Sequence, residues 1–74
     1  MAKKQAAEGV YRVTEVIGTS AVSWEDAAAN AVAAASKTLR DLRIAEISKL
    51  DMKVENGKVV AYRARILLSF KYDA

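Results

Sequence analysis

The 74-residue chain contains no cysteine, no histidine and no proline, and it has only three glycines. Without cysteine there are no disulfides, thiolate nucleophiles or zinc–thiolate clusters. Without histidine there is no imidazole base or metal ligand, so an enzyme would depend on carboxylates, Lys, Arg, Tyr or Ser. These absences weigh against catalysis, and we expect a protein that is not an enzyme.

Charge and hydropathy exclude further classes of partner. The net charge is +3, but the basic residues beyond Lys3 and Lys4 are interleaved with acids, so we expect no nucleic-acid partner. Residues 1–9 lack the apolar stretch of a signal peptide, and no apolar run is long enough to span a bilayer. We therefore expect no membrane partner and a cytoplasmic location, with a flexible tail at residues 1–9 and one domain at residues 10–74.

A β-hairpin is predicted around Asn56-Gly57, because a type I′ turn requires positive φ at both central residues. Regular pairing outward from this turn places apolar residues near the turn on one face: Leu50, Met52, Val54, Val59 and Ala61. Farther from the turn the apolar residues occupy the other face: Ala45, Ile47, Ile66, Leu68 and Phe70. The apolar face therefore changes sides along the predicted hairpin.

One core cannot cover both apolar sets. We expect the far half to cover the chain's own helix and the near half to contact another subunit, helped by a bulge near Lys49. The second strand of the hairpin, predicted over residues 59–72, would be about 45 Å long, longer than a small domain is wide. A chain this short without disulfides or a structural metal is a natural candidate for oligomerisation.

The rest of the chain predicts one strand and one helix. β-Branched and aromatic residues at 10–17 indicate a strand that ends in a turn at residues 18–20. Ser23 is a helix N-cap followed by two acids, and a stripe of apolar residues rich in alanine runs from Trp24 to Leu39. Lys37 and Arg40 are predicted in the last helical turn. The fold class is therefore α+β, in the order β-α-β-β, with a three-stranded antiparallel sheet curled around one helix.

Several segments together resemble the dodecin family: VYRVTEVIGTS (10–20), SWEDA (23–27), ASKTLR (35–40), NGK (56–58), YR (62–63) and SF (69–70). The resemblance covers residues 10–72. It implies a hollow, spherical homododecamer built from trimers. Typical members store or buffer flavin without catalysis, using a Trp that stacks on the flavin ring and a Gln that hydrogen-bonds its polar edge.

Both positions of that flavin pocket differ in this chain. The position matching the stacking Trp is Ile44, and the position matching the Gln is Arg63. Loss of stacking removes about 1–3 kcal/mol, or one to two orders of magnitude in affinity. Arg63 also introduces a permanent charge. We therefore expect FMN and riboflavin to bind weakly or not at all in the usual stacked mode. Trp24 is interpreted as a packing residue rather than a substitute platform.

The chain is more similar to a branch of dodecins that lacks the flavin Trp and is associated with calcium. The resemblance makes calcium a candidate ion, with Asp51 and Glu55 as candidate ligands. Calcium takes six or more oxygen ligands and no single segment supplies them, so a site would combine groups from several subunits.

A polar cluster is predicted on one face of the hairpin from Glu46, Ser48, Arg63 and Arg65. It is interpreted either as an ion-pair network, with Glu46 diagonal to Arg65, or as a ligand pocket at a subunit junction. The leading functional hypothesis is a non-enzymatic homododecamer that binds or sequesters a small ligand or ion. The alternatives are a flavin-storage dodecin, a purely structural assembly protein and an enzyme.

Overall fold

A computed structural model describes residues 9–71, which form one helix and three strands. The elements are β1 (Tyr11–Ser20), α1 (Trp24–Ser36), β2 (Leu42–Glu55) and β3 (Lys58–Lys71). The strand order is β1-β3-β2, and both neighbouring pairs are antiparallel. The predicted fold class and element order are therefore confirmed. Almost all of the predicted N-terminal tail, and Tyr72 at the predicted end of β3, lie outside the described residues.

Local chemistry determines both ends of the helix. The Ser23 side chain accepts a hydrogen bond from the Asp26 amide at 3.0 Å, which confirms the predicted N-cap. The helix ends earlier than predicted, because Lys37 is already the C-cap and Arg40 lies beyond it. The prediction that Lys37 and Arg40 lie in the last helical turn is therefore wrong.

Strand β1 continues through the segment predicted as a turn. Gly18 pairs with Ala64 of β3 and Ser20 with Tyr62, so residues 18–20 are extended. Gly18 is needed for close packing rather than for turning the chain. A Cβ at this position would overlap the Ala27 carbonyl oxygen and come within 2.8 Å of the Ala31 Cβ.

The core lies between α1 and the middle of β3. Its fully or nearly buried hydrophobic residues are Ala27, Ala31, Ala64, Ile66 and Leu68. Three of these five are alanines, which keep the helix close to the sheet but contribute little buried area. The helix packs mainly on β1 and β3 and touches β2 least. Apart from Leu42, which packs against the core, the residues of β2 are therefore left exposed.

The hairpin turn confirms the sequence prediction, with positive φ at Asn56 (52°) and Gly57 (76°). The strand pairing between the turn and the middle of the hairpin differs from the regular pairing that the sequence predicts. Val60 is an extra residue in β3, and Ser48 is a compensating extra residue in β2. The second bulge lies next to the position predicted near Lys49.

These two bulges change which residues share a face. Between them Met52 lies opposite Tyr62 and Leu50 opposite Ala64, instead of opposite Ala61 and Arg63 as regular pairing had predicted. Because Ala64 and Ile66 face the helix, the near and far apolar residues of the hairpin lie on the same side of the sheet. The predicted change of apolar face is therefore wrong, and Ala61, opposite Lys53, faces away from the helix.

Candidate functional site

The exposed part of β2, together with Val59 of β3, forms an apolar surface on the helix side of the hairpin. We call it the apolar stripe, and its members are 46–57% exposed: Ile47, Leu50, Met52, Val54 and Val59. Exposed apolar residues scattered singly are ordinary, but a contiguous row of this kind marks an interaction site. The expectation that the apolar residues near the turn lack a cover from their own helix is borne out by the exposure of Leu50, Met52, Val54 and Val59.

The other side of the sheet, which we call the open face, carries a bidentate ion pair. Arg63 Nε donates to Asp51 Oδ1 at 2.7 Å, and a terminal guanidinium nitrogen donates to Oδ2 at 2.9 Å. These hydrogen bonds hold the pKa of Asp51 below its ordinary value, and the same contact raises the pKa of Arg63. Both oxygens of the carboxylate are therefore engaged, and the Arg63 charge is neutralised locally.

The predicted polar cluster is only partly assembled. Arg63, Arg65 and Glu46 share the open face, but Arg65 pairs with Glu15 of β1 at 3.4 Å instead of with Glu46. The hydroxyl of Ser48 donates to the backbone carbonyl of Arg65 at 3.1 Å, which helps to fix the bulge. Glu15 was missed from the sequence, because its approach to Arg65 depends on the pairing of β1 with β3, which no local motif specifies.

Trp24 connects the start of the helix to the hairpin. Its indole Nε1 donates to the backbone carbonyl of Asp51 at 3.0 Å, and its ring packs edge-to-face on Tyr62 with centroids 5.0 Å apart. These contacts support its interpretation as a packing residue. They also place the indole beside the residue that carries the ion pair, a contact that the helical pattern of the sequence did not reveal.

The two positions matching the family's flavin pocket do not meet within one chain. Ile44 lies opposite Ser69, whereas Arg63 lies opposite Asp51, so the two are separated by about 20 Å along the sheet. Ile44 is 55% exposed on the open face. A pocket containing both positions would have to join two subunits.

The candidate calcium ligands do not form a site within one chain. Asp51 is held by Arg63, and Glu55 pairs with Lys53 at 3.5 Å. Among residues 9–71 no three acidic side chains lie close enough together to hold a metal ion. Calcium takes six to eight oxygens, so this donor set does not fit the ion without groups from other subunits.

A cleft of about 370 Å³ lies at the end of the sheet remote from the hairpin turn. Leu39 and Phe70 form part of its walls, with the basic residues Arg12, Arg40 and Lys71 around them. None of the predicted site residues lines it. It is therefore a separate feature from both the apolar stripe and the open face.

Comparisons with known proteins agree with this architecture. The family model described as Dodecin matches residues 10–73. This chain belongs to the dodecin family. Over 62 residues it is 44% identical to a protein from Mycobacterium tuberculosis named calcium dodecin, covering 84% of this chain and 87% of that protein.

Solved dodecin structures have the same fold. Dodecin from Streptomyces coelicolor superimposes with a TM-score of 0.82 at 38% identity, covering 88% of this chain and 93% of the other. The crystal structure of the M. tuberculosis calcium dodecin, described as calcium-chelating with a novel calcium-binding site, gives a TM-score of 0.77 at 44% identity, with 88% and 93% covered. The resemblance to the calcium-associated branch is thereby confirmed.

The described residues include no helix both long and apolar enough to cross a bilayer. The cytoplasmic location stays a prediction.

Proposed function

We propose that this dodecin forms a closed homo-oligomer, a dodecamer built from four trimers, which binds or sequesters a small ligand or ion without chemical turnover. The observation that carries the assembly is the apolar stripe, whose occupant is a second copy of the chain. Its five exposed hydrophobic side chains outnumber the two large hydrophobic residues that are fully buried within residues 9–71, Ile66 and Leu68. Covering the stripe with a second copy would add hydrophobic burial to a chain whose own core is small.

The dimensions of the subunit support the same proposal. Its accessible surface is 5347 Å², whereas a compact monomer of 8.0 kDa exposes about 4450 Å². Its radius of gyration is 15.5 Å, against about 11 Å for a compact domain of this length. The long hairpin contributes to this excess, because its two 14-residue strands are much longer than the 13-residue helix. A projecting arm with one apolar side is suited to packing against neighbouring subunits.

A charge placed in the apolar stripe tests the assembly. Met52→Asp would bury an unpaired carboxylate at the contact, and we expect it to raise the subunit concentration for half assembly at least about tenfold. Val22→Asp is a matched control, because Val22 is 76% exposed in the loop before the helix and lies outside the stripe. Size-exclusion chromatography with light scattering measures both. Met52→Asp protein that assembles as Val22→Asp protein does would show that the stripe is not a subunit contact.

Calcium is the ion that we propose to test first. The support is the 44% identity to a protein named calcium dodecin. Because the donors of one chain do not suffice, the proposed ligands are carboxylates and carbonyl oxygens from several subunits, so calcium binding should require assembly. Isothermal titration should give an EGTA-reversible signal for the oligomer and none for the Met52→Asp variant at a concentration where light scattering shows it unassembled. An oligomer that shows neither heat nor a gain in thermal stability at millimolar calcium would exclude the ion.

A flavin-storage role is the alternative, and the residues at 44 and 63 argue against it. Ile44 offers no aromatic face, and Arg63 is engaged by Asp51. We expect titration with the protein to quench the fluorescence of FMN and riboflavin weakly or not at all. The double change Ile44→Trp with Arg63→Gln should strengthen flavin binding. Strong quenching of flavin fluorescence by the unaltered protein, with nanomolar affinity, would instead favour flavin storage. An oligomer that binds neither calcium nor flavin would favour a purely structural shell.

A further inference from the structure

Met52 occupies the middle of the apolar stripe. It lies between Leu50 and Val54 on β2 and opposite Tyr62 of β3, and it is 46% exposed in the subunit. The sequence has no cysteine and only one other methionine, Met1. The thioether of Met52 is therefore the only sulfur in residues 9–71, and it lies on the surface through which we propose that subunits assemble.

We infer that Met52 is an oxidative modification site at which a peroxide controls assembly, an inference that rests on the proposed assembly through the apolar stripe. A lone pair of the thioether sulfur attacks one peroxide oxygen, the O–O bond breaks, and an S–O bond forms. Sulfur loses two electrons, the transferred oxygen gives up its proton, and the departing hydroxide takes up a proton and leaves as water when the oxidant is hydrogen peroxide. The product is methionine sulfoxide, which methionine sulfoxide reductases return to the thioether.

Oxidation of Met52 would place a polar atom in the middle of the apolar stripe. A sulfoxide oxygen is a strong hydrogen-bond acceptor that water satisfies on the free subunit. The adjacent Leu50 and Val54 side chains have no donor for it, and Tyr62, opposite on β3, is the one of these three neighbours with a hydroxyl. Packing the oxidised stripe against a second copy would bury that acceptor, so oxidation opposes assembly. Assembly in turn removes the thioether from solvent and protects it. The modification therefore acts on unassembled subunits, and oligomers already formed resist it.

The test compares assembly after oxidation of unfolded chains. Protein unfolded in guanidinium is treated with hydrogen peroxide, freed of peroxide, refolded, and measured beside an untreated sample by native mass spectrometry and light scattering. We expect the oxidised sample to need at least about tenfold more subunit for half assembly, equivalent to about 1.4 kcal/mol. Incubation with methionine sulfoxide reductases should restore the untreated behaviour. Met52→Leu is the matched control, because it retains Met1, Trp24 and the tyrosines but loses the thioether of the stripe.

A second measurement follows protection in the oligomer. Peptide mapping after peroxide treatment of assembled protein should show Met52 oxidised at least about tenfold more slowly than in the unfolded chain. If untreated protein stays monomeric, the proposed assembly and this inference both fall. If untreated protein assembles and the sulfoxide form assembles at the same concentration, only this inference is wrong. Equal sensitivity of Met52→Leu protein to peroxide would likewise overturn it, because the damage would then lie elsewhere.

Discussion

Gly18→Ala should destabilise this dodecin more than any comparable change at its surface. The glycine lies on β1 directly beneath α1, opposite the buried Ala64. An added Cβ would overlap the Ala27 carbonyl oxygen and come within 2.8 Å of the Ala31 Cβ, closer than real Cβ contacts occur. The overlapping atom is helix backbone and cannot rotate away, so the whole helix would have to move outward.

The expected loss is about 2–4 kcal/mol, at or above the usual range for overpacking, because both neighbours in the core are rigid. For a chain of this length that corresponds to a fall in melting temperature of roughly 10–25 °C. Thermal and guanidinium unfolding followed by circular dichroism at one fixed protein concentration measure it, since the stability of an oligomer depends on concentration.

Gly57→Ala provides the control that separates crowding from backbone strain. Gly57 has φ of 76° but no atom within 4 Å of an added Cβ, so its substitution should cost only about 1–2 kcal/mol of left-handed strain. A Gly18→Ala protein within about 0.5 kcal/mol of the unaltered protein, or more stable than Gly57→Ala, would refute the reasoning that close helix packing requires glycine at this position.

Three further predictions concern polar contacts. Ser20→Ala should lower the free energy of unfolding by about 1–2 kcal/mol in the same assay, because the nearly buried hydroxyl donates to Asp26 Oδ2 at 2.7 Å and accepts from the Val22 amide. An unchanged stability would contradict this network. Trp24→Phe, which removes the 3.0 Å bond to the Asp51 carbonyl but keeps a ring on Tyr62, should cost no more than about 1 kcal/mol, and a larger loss would show that the bond is undervalued. Since the pKa of Asp51 is lowered in the folded state, its ion pair with Arg63 should stabilise the protein fully at pH values above the pKa of the unfolded chain, near 4, and lose that effect as pH falls through the lower folded pKa. Asp51→Asn should flatten this part of the dependence of unfolding free energy on pH. An unchanged profile would contradict the assignment.

Local signals in the sequence predicted much of the fold. The N-cap at Ser23 and the turn at Asn56-Gly57 depend on the chemistry of a few adjacent residues, and both are confirmed. The segment after Ile17 was misread, because a glycine followed by two hydroxyl residues resembles a turn. The structure shows that the helix lies directly over Gly18, and this reason for glycine arises from tertiary packing.

The bulges explain why the faces of the hairpin could not be read from alternation alone. An extra residue at Val60 reverses the alternation of one strand relative to the other, and Ser48 restores it. Neither residue type marks a bulge by itself. The sequence contained one indirect sign, because a hairpin whose apolar face changes sides midway conflicts with a single core, and two bulges remove the conflict.

The candidate site was predicted less completely than the fold. The sequence placed Arg63 and Arg65 on one face, but their acidic partners depend on long-range registers: Asp51 across the shifted hairpin and Glu15 across β1. Pairing between strands distant in the chain has no local signature. Contacts between subunits are harder still to predict, because they also depend on how separate copies of the chain are arranged.

The mass of the protein in solution tests the central claim most directly. Native mass spectrometry, supported by light scattering at micromolar concentration, should give about 96 kDa, twelve copies of the 8.0 kDa chain. A mass of one chain under these conditions would contradict the account, because the exposed residues of the apolar stripe would then have no partner.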